Sequence, residues 1–175
     1  MNTPYNLPIL YIICGLPFSG KTYLSNKISK YTNCTLISYD QLWLDKKNET
    51  GEDLSWEQLS STVHRLIINN LRIGISVIYD TLNDTVNNRE ILRKIAQKEK
   101  GESIVIYTNT TLDTVLKRQV ENKKSGDRHS VSEENFQNAL KRFEPPHEIE
   151  NALEFTPETD IEIWLSNLPI YTGKG

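Results

Sequence analysis

Eight consecutive residues, Gly15, Leu16, Pro17, Phe18, Ser19, Gly20, Lys21 and Thr22, carry the densest chemical signal in this chain. Their order fits G-x-x-x-x-G-K-[ST], the spacing of a loop that wraps phosphate groups. The spacing has a mechanical reason. The two glycines reach backbone angles closed to other residues, so successive N–H groups turn inward at a helix N-terminus whose dipole favours negative charge. Lys21 then reaches the β- and γ-phosphates, and Thr22 offers a hydroxyl to Mg²⁺. Together with Tyr23, the segment is the expected cradle of a nucleoside triphosphate.

Two acids stand where strands should end. Asp40 follows the short apolar run Thr35 to Ser38, and Asp80 closes the run Ile75-Ser76-Val77-Ile78-Tyr79. In a parallel sheet both would emerge at the edge that carries the phosphates. Asp40 is a candidate general base for a substrate hydroxyl, or else a cap for the next helix. Asp80 has the form of a Walker B acid that holds the magnesium shell, or else of a strand-end turn residue, and Asn83 could orient either Asp80 or substrate.

The elements that must position these groups alternate along the chain. Leu7 to Cys14 is a buried strand broken by Pro8, followed by a helix from Thr22 to Lys30. Thr35 to Ser38 is a short strand, and Lys46 to Asp53 is expected to be a charged loop. Trp56, Leu59, Val63, Leu66, Ile67 and Leu71 recur at helical spacing until Gly74. Strands are expected over Ile75–Tyr79 and Ser103–Tyr107, and helices over Val86–Lys98, Leu112–Asn122 and Glu133–Phe143, the last capped by Ser132. Ile161 to Leu165 is expected to add a final strand, and Tyr171 to Gly175 to fray. The alternation predicts one α/β domain over residues 1–175, a three-layer fold with a mainly parallel sheet of about five strands.

Composition is that of a globular protein, with 37% hydrophobic and 25% charged residues in 175. The net charge of −3 disfavours a broad basic surface for nucleic acid. Cys14 and Cys34 lack metal-ligand spacing and are expected as core thiols. No apolar run is long enough for a membrane helix and no signal-peptide pattern is present, so a cytoplasmic monomer or weak homodimer is expected.

In order, these motifs resemble the P-loop kinases of the polynucleotide-kinase-like group, an AAA-type ATP-binding domain class that includes zeta-toxin-type and chloramphenicol-phosphotransferase-type enzymes. The resemblance covers roughly residues 9 to 150. It rests on the phosphate loop, on Ile37-Ser38-Tyr39-Asp40 as the strand-end base, on Val77-Ile78-Tyr79-Asp80-Thr81-Leu82-Asn83 as the hydrophobic-D-x-T-N element, and on Arg89 beyond it. It implies a P-loop NTPase fold with a helical lid over about residues 112–132, whose Arg118 and Arg128 close over the phosphates. It also implies that Phe143-Glu144-Pro145-Pro146 lies near the nucleotide base, and that the helix from about Leu54 to Leu71, with Trp56, builds the acceptor side of the cleft. On this reading the chain is an ATP- and Mg²⁺-dependent kinase for a small hydroxyl-bearing acceptor, with Lys21, Asp40, Arg118 and Arg128 catalytic and Thr22 and Asp80 on the metal. A polynucleotide 5′-hydroxyl kinase and an ATP-hydrolysing switch are the alternatives.

Two departures stand out. Gln41-Leu42-Trp43-Leu44 follow Asp40 where polynucleotide members carry an arginine, and Phe18 occupies a loop position where glycine is common. Trp43 is expected in the core or else stacked on a planar substrate. His64 and His147 are expected in structural or surface roles, while His129, beside Arg128, is a candidate phosphate or substrate contact.

Overall fold

The structure, a computed structural model, describes residues 4–52, 54–125 and 131–171. In chain order its elements are β1 (Pro4–Tyr5), β2 (Ile9–Cys14), α1 (Lys21–Thr32), β3 (Thr35–Ser38), α2 (Tyr39–Thr50), α3 (Trp56–Arg72), β4 (Val77–Asp80), α4 (Val86–Lys98), β5 (Glu102–Thr108), α5 (Leu112–Ser125), α6 (Glu133–Arg142), β6 (Leu153–Phe155), α7 (Ile161–Ser166) and β7 (Ile170–Tyr171).

The apolar run before the phosphate loop becomes β2, buried at every residue, because it lies in the middle of a parallel sheet covered on both faces. The strand order is β3-β4-β2-β5-β6, all parallel. Alternate residues of β2 feed two cores. Leu10, Ile12 and Cys14 pack with Val63, Ile67 and Leu71 of α3 and with Leu92 and Ala96 of α4. Ile9, Tyr11 and Ile13 pack with Leu24 and Ile28 of α1 and with Leu165 of α7. This is the three-layer α/β architecture expected of a P-loop NTPase, and its order reverses at β2, so the cleft opens beyond the carboxyl end of that strand.

Three expectations from the sequence are corrected. The segment Lys46 to Asp53 is not a loop throughout: α2 runs to Thr50 and ends at Gly51, which takes φ 72°. Its charges mislead because α2 has no fully buried residue, and i,i+3 and i,i+4 pairs such as Lys46–Glu49 and Gln41–Asp45 stabilise an exposed face. Ile161 to Leu165 is helix α7 rather than a strand. The Asp160 side chain accepts from the N–H groups of Glu162 and Ile163, and Leu165 turns into the core. The last strand of the main sheet is instead β6, upstream of it. Tyr171, expected to fray, pairs within β7 against β1.

The Ser132 cap of α6 forms as expected. Among the described residues no helix is long and apolar enough to cross a membrane.

Asp160→Ala should cost about 1 kcal/mol by removing both bonds at the start of α7, while Asp160→Asn should retain most of that stability. Urea unfolding midpoints check both.

Candidate active site

The loop after β2 is held by its neighbours in one conformation. Gly15 has φ 151°, Phe18 φ 63° and Gly20 φ 105°. A Cβ on Gly15 would lie 2.2 Å from Thr108 Oγ1, so only glycine fits there. Thr108, at the end of β5, donates to the Cys14 carbonyl (3.1 Å) and shares a 2.6 Å hydrogen bond with Ser19. Thr110 donates to the Ser19 carbonyl (2.8 Å). From the other side Asn83 Nδ2 donates to the Ile13 carbonyl (2.7 Å), and Gly15 N–H donates to the Leu82 carbonyl (3.3 Å).

Phe18 does not stand free above the loop. Its ring lies 5.9 Å from that of Phe136, buried in α6, and its carbonyl accepts from Arg118 of α5 (3.1 Å). These contacts hold a bulky residue in the left-handed region, which costs about 1–3 kcal/mol and persists because its surroundings impose it. Leu16 is half-buried and Pro17 buried within the same turn.

Lys21 opens α1, and its ammonium donates to the carbonyls of Gly15 (3.0 Å) and Leu16 (2.7 Å). Burial pulls its pKa down to about 8, against the charges of Asp80 and Asp40, which hold it up. Asp80 is 4% exposed at the end of β4. Burial raises its pKa, opposed by the Lys21 charge and a hydrogen bond from Thr22, with the Asp40 charge adding to the rise. Thr22 itself is exposed, one residue into α1.

Register brings the second acid in. Ser38 of β3 pairs with Asp80 of β4, so Asp40, two residues beyond Ser38, emerges at the same edge. The cap of α2 is Ser38, which accepts from the Gln41 N–H (3.4 Å); Asp40 sits exposed in the first turn and is not the cap. Among the described residues no hydrogen bond or ion pair engages Asp40, while its charge reaches Lys21, Asp80, Tyr39 and Tyr79.

Arg118 is half-buried against the loop, 3.8 Å from where a Cβ on Gly20 would stand. Tyr23 lies outward on α1, with Lys27 Nζ 5.8 Å from its ring centre. Arg128 and His129 lie outside the described residues. Phe143-Glu144-Pro145-Pro146 closes onto α4: the Glu144 carboxylate accepts from the Val86 N–H (2.7 Å), and its own N–H donates to the Asp84 carbonyl (2.7 Å).

Two tryptophans lie outside the fully buried core. Trp43 is half-buried rather than in the core, with Lys47 Nζ 4.7 Å above its ring. Trp56, which recurs at the helical spacing of α3, is 57% exposed and packs its ring on Tyr39 with centres 4.6 Å apart. Cys14 is a core thiol that burial pushes up to about 12, and Cys34 is half-buried. His64 is half-buried in α3 and His147 exposed.

Arg89, read in the sequence only as part of a motif, turns out to centre a brace whose partner the sequence does not mark. Arg89, fully buried in α4, donates to both oxygens of Glu150 (2.9 and 2.8 Å) and to the Asn83 carbonyl (2.9 Å). It thereby fixes Asn83, which sits at φ 45° and holds the end of β2. Burial would raise the Glu150 pKa, but hydrogen bonds from Arg89, the His147 N–H and Arg93 outweigh it and hold the carboxyl at about 2. Nothing in the local sequence marks Glu150, whereas Thr108 and Thr110 at a strand end facing the loop were a legible signal.

A family model described as AAA domain matches residues 10–146. Among solved structures the chain is similar to Kti12 of Chaetomium thermophilum in complex with ADP-AlF3, at 19% identity and TM-score 0.76, covering 90% of this chain and 93% of that one. It is also similar to the APS kinase CysC of Mycobacterium tuberculosis in complex with AMPPNP and APS, at 15% identity and TM-score 0.63, covering 93% and 95%. A gluconokinase of Sinorhizobium meliloti 1021 gives 15% identity and TM-score 0.62, covering 94% and 90%. These likenesses carry the fold. A search of the curated proteins finds no match.

Two outcomes follow from the site. Lys21 loses its charge as pH rises through about 8, so affinity for ATP should fall across that range and binding there should take up a proton; Lys21→Arg should remove the pH dependence. Calorimetry in buffers of different ionisation heat reads both. Arg89→Met should cost about 3 kcal/mol by removing the fully buried partner of Glu150, which keeps only Arg93 and the His147 N–H, and by leaving the Asn83 carbonyl without its donor. Because the Glu150 pKa is depressed, its contribution is full above about pH 4.5 and is lost as pH falls toward about 2; acid unfolding of Glu150→Gln should lack that component.

Proposed function

The chain belongs to the AAA domain family, and on that premise we propose that it is an ATP-dependent kinase that phosphorylates a hydroxyl of a small-molecule acceptor. The observation that carries the reading is the second carboxylate. Asp80 and Asp40 emerge at one sheet edge beside Lys21, and Asp40 is exposed with no partner among the described residues, which suits it to an acceptor that arrives from solvent. A module that only bound or hydrolysed nucleotide would not need it.

In this reading the loop N–H groups and Lys21 hold the β- and γ-phosphates, the ammonium exchanging the carbonyls of Gly15 and Leu16 for phosphate oxygens. The donor set beside the loop fits a magnesium ion: Thr22 supplies a hydroxyl and Asp80 a buried carboxylate, both hard oxygen ligands, and among the described residues no salt bridge occupies Asp80. Bound there, the ion would neutralise charge on the β- and γ-phosphate oxygens. The acceptor oxygen attacks the γ-phosphorus as the bond to the β,γ-bridging oxygen breaks, and Asp40 takes the hydroxyl proton, leaving ADP and a phosphate ester. Arg118, already on the loop through the Phe18 carbonyl, reaches the transferring group by a small swing, and Arg128 is its partner in the proposal.

Asp40→Asn should leave ATP affinity within about threefold of wild type while lowering transfer about 100-fold or more, whereas Lys21→Ala should damage both. Equal transfer by Asp40→Asn and wild type would remove Asp40 from the mechanism.

A further inference from the structure

The phosphate cradle works only if its N–H groups point inward, and one peptide of the loop does not fix its own direction. Ser19 is buried, and its main chain is tied by the bond from its N–H to the Leu16 carbonyl (3.2 Å). Its side chain is tied as well. Thr108 has a single hydroxyl proton, which goes to the Cys14 carbonyl, so in the 2.6 Å contact between the two hydroxyls Ser19 is the donor. On the other side the Gly20 carbonyl accepts from the Leu24 N–H (3.0 Å) at the start of α1. Between these fixed points the plane of the Ser19–Gly20 peptide is left to turn.

Turning a peptide plane changes ψ of the residue before it and φ of the residue after it. At most positions the second change is opposed, because a side chain confines φ to negative values. Gly20, at φ 105°, takes either sign at little cost, so its own backbone does not hold the plane. Space does not hold it either: a Cβ on Gly20 would meet nothing nearer than an Arg118 nitrogen at 3.8 Å, unlike the 2.2 Å clash at Gly15. The hold comes from Thr110. Its hydroxyl, buried beyond the end of β5, donates to the Ser19 carbonyl (2.8 Å). Carbonyl and N–H of a trans peptide point in opposite directions, so a carbonyl drawn to Thr110 sends the Gly20 N–H the other way. Among the described residues no side chain caps α1, and its first turn carries no acid, so the N–H groups that follow Gly20 are left for an anion.

We propose that Thr110 is a positioning residue of the phosphate site: by holding the Ser19 carbonyl it turns the Gly20 N–H into the cradle, where that N–H donates to a phosphate oxygen. Ser19 then serves the nucleotide through its peptide, its hydroxyl proton being committed to Thr108. The proposal rests on the triphosphate-binding part of the kinase reading and is independent of the acceptor.

The test uses the full chain with Thr110→Val, which keeps the shape of the side chain and removes its donor, and Thr110→Ser, which restores the donor. Affinity for a non-hydrolysable ATP analogue with Mg²⁺ is read by calorimetry, and the Gly20 amide is followed by NMR of isotopically labelled protein. The fate of the phosphate is read with γ-labelled ATP in the presence and absence of glucose, myo-inositol and adenosine. Thr110→Val should bind the analogue about tenfold more weakly, and Thr110→Ser should return to within about threefold of wild type. In wild type the Gly20 amide proton should move downfield as the analogue binds, the mark of a donor to an anion, and in Thr110→Val it should move less. The wild-type reading stands by itself where Thr110→Val does not fold. Unchanged affinity in Thr110→Val, a loss that Thr110→Ser does not recover, or a Gly20 amide that stays in place in wild type overturns the positioning role and leaves the kinase reading standing. An analogue that does not bind wild type overturns both. Weakening that Thr110→Ser recovers, together with release of free phosphate that none of the three acceptors alters, supports the positioning role and counts against the kinase reading.

Discussion

The structure depends on keeping one stretch of main chain, residues 15 to 20, in a conformation most sequences cannot adopt. Its left-handed positions include one at phenylalanine, and its first glycine is pressed against Thr108 so closely that no side chain fits. Such a loop is stable only if its surroundings impose it. Thr108 and Thr110 brace it from the end of β5, Asn83 and Leu82 from the turn after β4, and Arg118 and Phe136 from the helices that follow β5. Asn83 is in turn held by Arg89, and Arg89 by Glu150, so a buried ion pair outside the loop supports the phosphate cradle. Burying that pair is costly in itself, and fixing the turn beside the loop gives a reason to retain it.

A second balance is set on top of the first. Burial disfavours the charge on Lys21 and on Asp80 alike, and each lowers the cost of the other's charge across the cleft. Asp40 adds negative charge at the exposed rim, where water tempers its effect. The inner groups are therefore poised for a highly charged, metal-bound phosphate, which supplies the charges that desolvation makes scarce, and the outer one faces solvent. The division follows from strand length: β4 carries Asp80 at its last residue, while β3 ends two residues before Asp40 and hands it to the first turn of α2.

How much of this was legible depended on how local the determinants were. The loop spacing, the two strand-end acids and the Ser132 cap are local patterns, and each stands at its expected place in the fold. Arg118, which the family resemblance puts in the lid, lies on the loop. Sequence and structure part where local pattern and tertiary context disagree. Ile161 to Leu165 alternates briefly like a strand, but Asp160 caps it and one face meets the core. The charges after Asp40 look like a loop, but they coat a helix that sets only Tyr39 and Leu42 partly against the core. Glu150 finds Arg89 only through the fold, 61 residues away in sequence, and no spacing could have announced it.

The central claim is that the phosphate leaves for an acceptor and not for water. Wild-type protein with γ-labelled ATP, Mg²⁺ and hydroxylated acceptors gives the answer directly, as the partition of label between phosphate ester and free phosphate. The account predicts label on an acceptor and turnover that falls away when the acceptor is withheld. Steady release of free phosphate, unchanged by any acceptor, would contradict it and make the chain an ATP-hydrolysing switch.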